Sequence, residues 1–235
     1  MGRTRATRQI AAQESWTYEQ YLGSLCALEL GQREVRRHQK FLAASRLPRE
    51  KTLANFERQR LKRPVERHFA GLLSGEFLGR TEEVLVFGNP GGGETHLLCA
   101  LGHELVQQGH SVYFSSCVWL VQRLLTAKRE LWLEEELKRL DKAEALIIDD
   151  LGHGQQSREE MEVLFTLLAP RYERGSGLRT SNLVFSQWEQ IFKDPLTTAA
   201  AIDRLVHHHV ILEMNLPSYR MAAAQQRKTT STQTE

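Results

Sequence analysis

From about residue 80 to 221 this 235-residue sequence predicts a three-layer α/β domain with a parallel central sheet, preceded by a small helical unit. Three observations predict it. After residue 84 short apolar runs alternate with longer helical periods, the pattern of strand–helix crossovers that cover both faces of a sheet. A glycine-rich loop follows the first run and leads into an apolar helix. The third run ends in two adjacent acids, at the strand edge where ligands sit in open α/β sheets.

Taken in order, residues 1–14 are polar and basic and are expected to form a flexible tail. Thr17 and Gln20 have capping-box spacing. Tyr18, Tyr21, Leu22, Leu25 and Leu28 then follow at helical intervals, and Gly31 is expected to end this helix. A second helical stretch, QREVRRHQKFLAASR, stops before Pro48, with Arg33, Arg36, Arg37 and Lys40 on one face. Arg58, Arg60, Lys62 and Arg63 add a further basic cluster. Residues 15–79 therefore read as a basic helical region, with a domain boundary near 64–80. The strands expected beyond it are VLVF (84–87), SVYFSS (111–116), ALIIDD (145–150), LRTSN (178–182) and HVILEM (209–214). The runs ALII and VILE are nearly continuous and apolar, as buried parallel strands should be. Helical periods cover 94–108, 117–140, 157–174 and 197–207. Arg179 stands where the fourth strand should be apolar, which predicts a weakened strand. Residues 222–235 are polar, the composition of a disordered tail.

Composition narrows the function classes. The chain is 41% hydrophobic and 26% charged, enough for a core. No apolar run approaches the ~18 residues of a membrane span, so no membrane partner is expected. The three cysteines are scattered without a CxxC pair, which fits a reducing cytoplasm and argues against a cysteine zinc site. Residues 1–80 hold 16 Lys and Arg against 8 Asp and Glu, whereas the remainder holds 15 against 21. A basic first part joined to an acidic second part points to a polyanion as partner, a solvated helical surface being the alternative.

The loop Gly88-Asn89-Pro90-Gly91-Gly92-Gly93-Glu94-Thr95-His96 matches the phosphate-binding pattern GxxxxGK[ST] at both glycines and at the hydroxyl. Its backbone N–H groups and the helix N-terminus are suited to phosphate oxygens, and the Thr95 hydroxyl to Mg²⁺. The exception is Glu94, where the pattern has lysine. A carboxylate ~4 Å from a phosphate charge, at an effective dielectric near 20, is repelled by roughly 4 kcal/mol. A glycine-rich turn without any ligand is the alternative reading of this loop. In ALIIDD, Asp149 is placed to hold Mg²⁺ and Asp150 to orient and deprotonate a water, one methylene shorter than a glutamate. Thr180-Ser181-Asn182 offers polar side chains to a nucleotide phosphate or the water, or simply caps a turn. Asp203 and Arg204 end a helical period, as an arginine finger or a surface ion pair. His207, His208 and His209 are consecutive and point in different directions, so they do not make a metal site.

Together GNPGGGETHL, ALIIDDLG, LFTLLAPRYERGSGLRTSNLVFSQWEQIFKDP, AAAIDRLVHHHVI and PSYRM resemble the IstB family, ATP-binding helper proteins of insertion-sequence transposition. That family is similar to the helicase loader DnaC and belongs to the AAA+ class. The resemblance covers about residues 15–221. It implies ATP and Mg²⁺ as cofactors, assembly as a homo-oligomer on double-stranded DNA, and action on the transposase of the same element. By motif position it implies Asn182 as the polar sensor, Arg204 as the finger, and Arg220 near a further phosphate-sensing arginine. Glu94, Gly92 and Arg179 depart from the family pattern, which puts hydrolysis in doubt more than fold. A helicase loader and a non-hydrolysing DNA-binding relic of a mobile element are the alternative functions.

Overall fold

The computed structural model describes residues 2–152, 157–171, 174–183 and 209–219. Two helices open the chain, α1 (Gly2–Gln13) and α2 (Tyr18–Ser45). Two 3₁₀ turns follow, Leu53–Asn55 and Arg58–Arg60, then α3 (Arg63–Leu72) and α4 (Glu76–Gly79). The α/β part runs β1 (Glu83–Gly88), α5 (Glu94–Gln107), β2 (Val112–Ser116), α6 (Cys117–Arg129), α7 (Leu133–Asp141), β3 (Ala145–Asp149), α8 (Arg158–Arg171), β4 (Ser176–Ser181) and β5 (His209–Met214).

The five strands form one sheet in the order β2-β3-β4-β1-β5, and every neighbouring pair is parallel. Alternation along the strands divides the core into two layers. Leu85, Phe87, Leu146 and Ile148 pack on one face against Leu120, Leu124, Leu164 and Leu167 of α6 and α8. Val84, Val86, Ala145 and Ile147 pack on the other against Leu97, Leu98, Leu101 and Leu105 of α5. Parallel strands buried on both faces account for the continuous apolar runs. All five expected strands are present, so the parallel three-layer architecture stands as the sequence predicts.

Several details differ. Residues 2–13, read as a tail, are helical; Arg, Ala and Gln are strong helix formers, and Thr7 is buried. Gly31 does not end the second helix. Its position is open on all sides, and α2 runs through it for 28 residues from an intact Thr17–Gln20 capping box. An interior glycine costs only about 1 kcal/mol against alanine, too little to break a helix this long. The period 117–140 is two helices, because Leu131 takes a positive φ of 61° between them. No break in the core marks the boundary expected near 64–80: Leu47, Leu61, Phe69 and Leu72 share one cluster with Val84 and Leu97. The period 197–207 lies outside the described residues.

The expected weakness of the fourth strand is overturned. β4 lies between β3 and β1, and Arg179 is buried there at 2% exposure in an ion pair with Glu83 of β1. The arginine is tolerated in the sheet because a carboxylate from the neighbouring strand meets it. Cys99 and Cys117 are buried core residues; Cys26 is exposed. Among the described residues no helix is long and apolar enough to cross a membrane.

Candidate functional site

The loop between β1 and α5 is built on glycine for reasons of backbone and space. Gly91 and Gly93 have φ of 87° and 108°, a region that disfavours side chains. The Gly92 N–H donates to the Asn89 carbonyl at 2.9 Å, closing the turn. Gly93 is then the N-cap of α5, so the helix begins at Glu94 and Thr95.

Glu94 does not swing out to solvent. Its side chain curls back into the loop, where Oε2 accepts from the Gly93 N–H at 3.0 Å. Its own backbone N–H supplies a second hydrogen bond. Oε1 is buried without a hydrogen-bond partner. A Cβ on Gly88 would collide with that oxygen, and one on Gly92 would stand 2.6 Å from it. The loop thus wraps an anion, and the anion is its own carboxylate. Burial pushes the Glu94 carboxyl above its ordinary value. The two backbone hydrogen bonds pull it down, and the charges of Asp149 and Asp150 add to the rise.

The acidic strand end faces this loop. Asp149 is buried, and Thr180 of β4 donates its hydroxyl to Asp149 Oδ1 at 2.7 Å. The same hydroxyl accepts from the Asp150 N–H at 2.8 Å. Burial raises the Asp149 carboxyl, while hydrogen bonds to Thr180 and Thr95 oppose the rise. Asp150 is exposed and takes a positive φ of 58°, which turns its side chain out of the strand direction. Leu151 N–H to the Thr180 carbonyl (2.8 Å), and the Ser181 hydroxyl to the Leu151 carbonyl (2.8 Å), fasten the segment after β3 to the end of β4.

The structure therefore brings together Gly88, Gly91, Gly92, Gly93, Glu94, Thr95, Asp149 and Asp150. Asn89 and Pro90 are exposed at the loop tip. The His96 ring is turned away, Nε2 3.0 Å from the Thr52 carbonyl and edge-on to Phe56 at 5.2 Å. Asn182 is exposed one residue beyond β4, so the polar residue of this stretch that touches the acidic pair is Thr180. Arg204 and Arg220 lie outside the described residues, as do His207 and His208. Among the described residues no cluster of three His, Cys, Asp or Glu could hold a metal. Thr95 and Asp149, hydrogen-bonded to each other, offer two protein oxygens that would suit Mg²⁺, an ion that keeps few protein ligands.

Against the loop lies a cavity of about 240 Å³ lined by Lys51, Phe56, Arg60, Gly92, Thr95 and Tyr219, among others. Phe56 and Arg60 come from the 3₁₀ region, and Leu216 and Tyr219 from the segment after β5. Arg60 lies 5.3 Å above the Tyr219 ring and donates to the Pro217 carbonyl at 2.7 Å. The Tyr219 N–H donates to the Gly91 carbonyl at 2.8 Å, so this segment closes over the loop. Sequence reasoning did not connect these residues with the site. Nothing local marks them, because contacts spanning 157 residues join them to it.

Comparison with known proteins agrees with this geometry. The family model described as IstB-like ATP binding protein matches residues 3–228. A Sinorhizobium fredii protein, named for ATP binding and for an insertion sequence, is 40% identical over 93% of this chain and 74% of its own length. A Pseudomonas aeruginosa protein, named for ATP binding and for the insertion sequence IS21, is 38% identical over 90% of this chain and 80% of its own. Among solved structures, AMPPCP-bound DnaA from Aquifex aeolicus superposes with a TM-score of 0.63 at 18% identity, over 79% of this chain and 57% of that one. DnaI gives 0.60 at 20% identity, over 72% and 95%. These two likenesses are of fold.

Proposed function

This chain belongs to the IstB-like ATP-binding proteins, and on that premise we propose that it is a nucleotide-dependent helper of DNA transposition whose ATP turnover is suppressed. In this reading it assembles as a homo-oligomer on double-stranded DNA and acts on the transposase of the same element. One observation carries the reading: a glycine loop that still wraps an anion faces the hydrogen-bonded pair Thr180–Asp149 across the helix start at Thr95. A disused turn would have no reason to keep the buried carboxylate and its threonine in register with the loop.

The residues divide the work as follows. The Gly93 and Glu94 N–H groups, taken by the Glu94 carboxylate in this structure, hold phosphate oxygens once that carboxylate is displaced. Thr95 and Asp149 hold Mg²⁺, which when bound neutralises phosphate charge. Thr180 fixes the rotamer of Asp149 and, through the Asp150 N–H, the turn that presents Asp150 to a water. Asn182 and Arg204 complete the site in this proposal, the latter reaching a neighbouring subunit. Phe56 and Tyr219 offer aromatic surface to a base. Glu94 opposes the β- and γ-phosphates where a cation is wanted, so binding of ATP, rather than its hydrolysis, sets the working state.

Equilibrium binding to a DNA duplex, with and without Mg-ATP, tests the proposal. Tighter and more cooperative DNA binding with Mg-ATP is expected, with less than one turnover in the time of assembly. Identical DNA binding in both conditions, together with no nucleotide bound in equilibrium dialysis, would remove it.

A further inference from the structure

The site as described is short of positive charge. Three carboxylates converge on it, those of Glu94, Asp149 and Asp150, and the loop lysine that would offset them is absent. Two cations line the cavity, Arg60 and Lys51. Arg60 is committed: it donates to the Pro217 carbonyl, lies over Tyr219, and stands 4.0 Å from Glu57. Lys51 is half-buried, and among the described residues its ammonium makes no hydrogen bond or ion pair. Its charge nevertheless acts on the site, favouring the ionised forms of both Asp149 and Cys99 of α5.

The backbone holds Lys51 in place. Its N–H donates to the Pro48 carbonyl at 3.2 Å, and the carbonyl of the next residue, Thr52, is bonded to His96 of α5 at 3.0 Å. The stem of Lys51 is therefore anchored on both sides to the helix that begins at the loop, and His103 of the same helix meets the Pro48 carbonyl at 3.0 Å. A half-buried lysine that lines the same cavity as the glycine loop, with no ion pair of its own among the described residues, is arranged for an anion from outside.

We propose that Lys51 is the phosphate-binding cation of this chain, supplied from the segment after α2 in place of the lysine that Glu94 has displaced. The proposal rests on the ATP-binding reading above and adds to it a residue that the loop pattern does not contain. It also explains how a site with Glu94 at its centre accepts a polyphosphate at all. The ammonium compensates phosphate charge from the open side of the cavity, while the carboxylate remains in, or is pushed from, the loop.

The experiment compares Mg-ATP and adenosine binding, by calorimetry, for the natural protein, Lys51→Met, Lys51→Arg, Glu94→Lys and the double variant Lys51→Met/Glu94→Lys. Methionine keeps the apolar stem, so packing is preserved. Without its charge-assisted bond to phosphate, Lys51→Met should bind Mg-ATP about tenfold or more weakly. Adenosine affinity should stay within about twofold, because adenosine has no phosphate to lose. Lys51→Arg should keep most of the Mg-ATP affinity. In the Glu94→Lys background, where a loop cation is restored, removing Lys51 should cost less than about threefold, a coupling that a merely structural residue would not show. Equal losses for ATP and adenosine, or no loss in Lys51→Met, overturn the proposal and leave the ATP-binding reading intact. No ATP bound by the natural protein and by Glu94→Lys alike overturns both.

Discussion

Glu94 is the residue on which the chemistry turns. A missing lysine and an inserted carboxylate are different defects, and the structure separates them. The first removes a positive charge; the second puts a carboxylate inside the loop. Glu94→Ala corrects only the second, and Glu94→Lys corrects both. Phosphoryl transfer is stabilised almost wholly by positioning and electrostatics, so the recovered interactions should act more on rate than on fold. If they are worth ~3–4 kcal/mol in the transition state, Glu94→Lys should raise hydrolysis by roughly 10²–10³ over a near-silent natural protein. Glu94→Ala should bind Mg-ADP more tightly than the natural protein while remaining slow. A phosphate-release assay and a nucleotide titration read the two effects. Brisk hydrolysis by the natural protein, unchanged by either substitution, would falsify this account of the residue.

Among the elements, β4 is the instructive one. In sequence, Arg179 looks like damage to a core strand; in the structure, it is matched by Glu83 across the β1–β4 ladder. Removing one partner of a buried pair leaves a bare charge inside, whereas replacing both with apolar residues does not. Arg179→Leu or Glu83→Leu alone should lower stability by about 3–5 kcal/mol in urea denaturation, and the double variant should recover most of it. Additive losses in the double variant would show that the pair is not a unit. The same strand shows what the sequence made legible. Apolar alternation and flanking turns located every strand, because period and burial are local properties. The partner of Arg179 is 96 residues away, and Asp149 takes its hydrogen bond from Thr180, one strand over. Such pairings depend on sheet order and register, which no local pattern encodes. The loop was recognisable from its glycines, but the inward fold of Glu94 depends on a buried nest of N–H groups that exists only once α5 has formed.

For the molecule as a whole, the basic half is less available to DNA than its composition suggests. Arg33 pairs with Glu29, Arg58 with Glu66, Arg37 donates to the Gly109 carbonyl, and Arg60 belongs to the cavity. Arg36, Lys40, Lys62 and Arg63 remain exposed and form no ion pair with an acid among the described residues. Every side chain that ceases to neutralise a DNA phosphate should reduce the slope of log affinity against log salt by about 0.9. Replacing these four with alanine should therefore flatten the slope by up to roughly 3–4, measured by fluorescence anisotropy on a duplex. An unchanged slope would place the DNA surface elsewhere. Point substitution is the right tool, since deleting residues 1–63 would also remove Lys51, Phe56 and Arg60 from the cavity.

The tie between His96 and the Thr52 carbonyl has a mechanical consequence. α2 is rooted through Ser45 and Leu47, both buried, and the chain just beyond it is fastened twice to α5, at His96 and at His103. Farther out, Tyr18, Leu22 and Leu30 are exposed, and α1 is packed along the helix. Residues 18–36 of α2, short of the Arg37 tie to Gly109, make at 1.5 Å of rise each an arm of about 28 Å. A tilt of about 5° at the root sweeps the tip through roughly 2–3 Å. Whatever moves the head of α5, a phosphate entering or a carboxylate leaving, is thus geared up at the far end of α2 into a displacement large enough to make or break an interaction there.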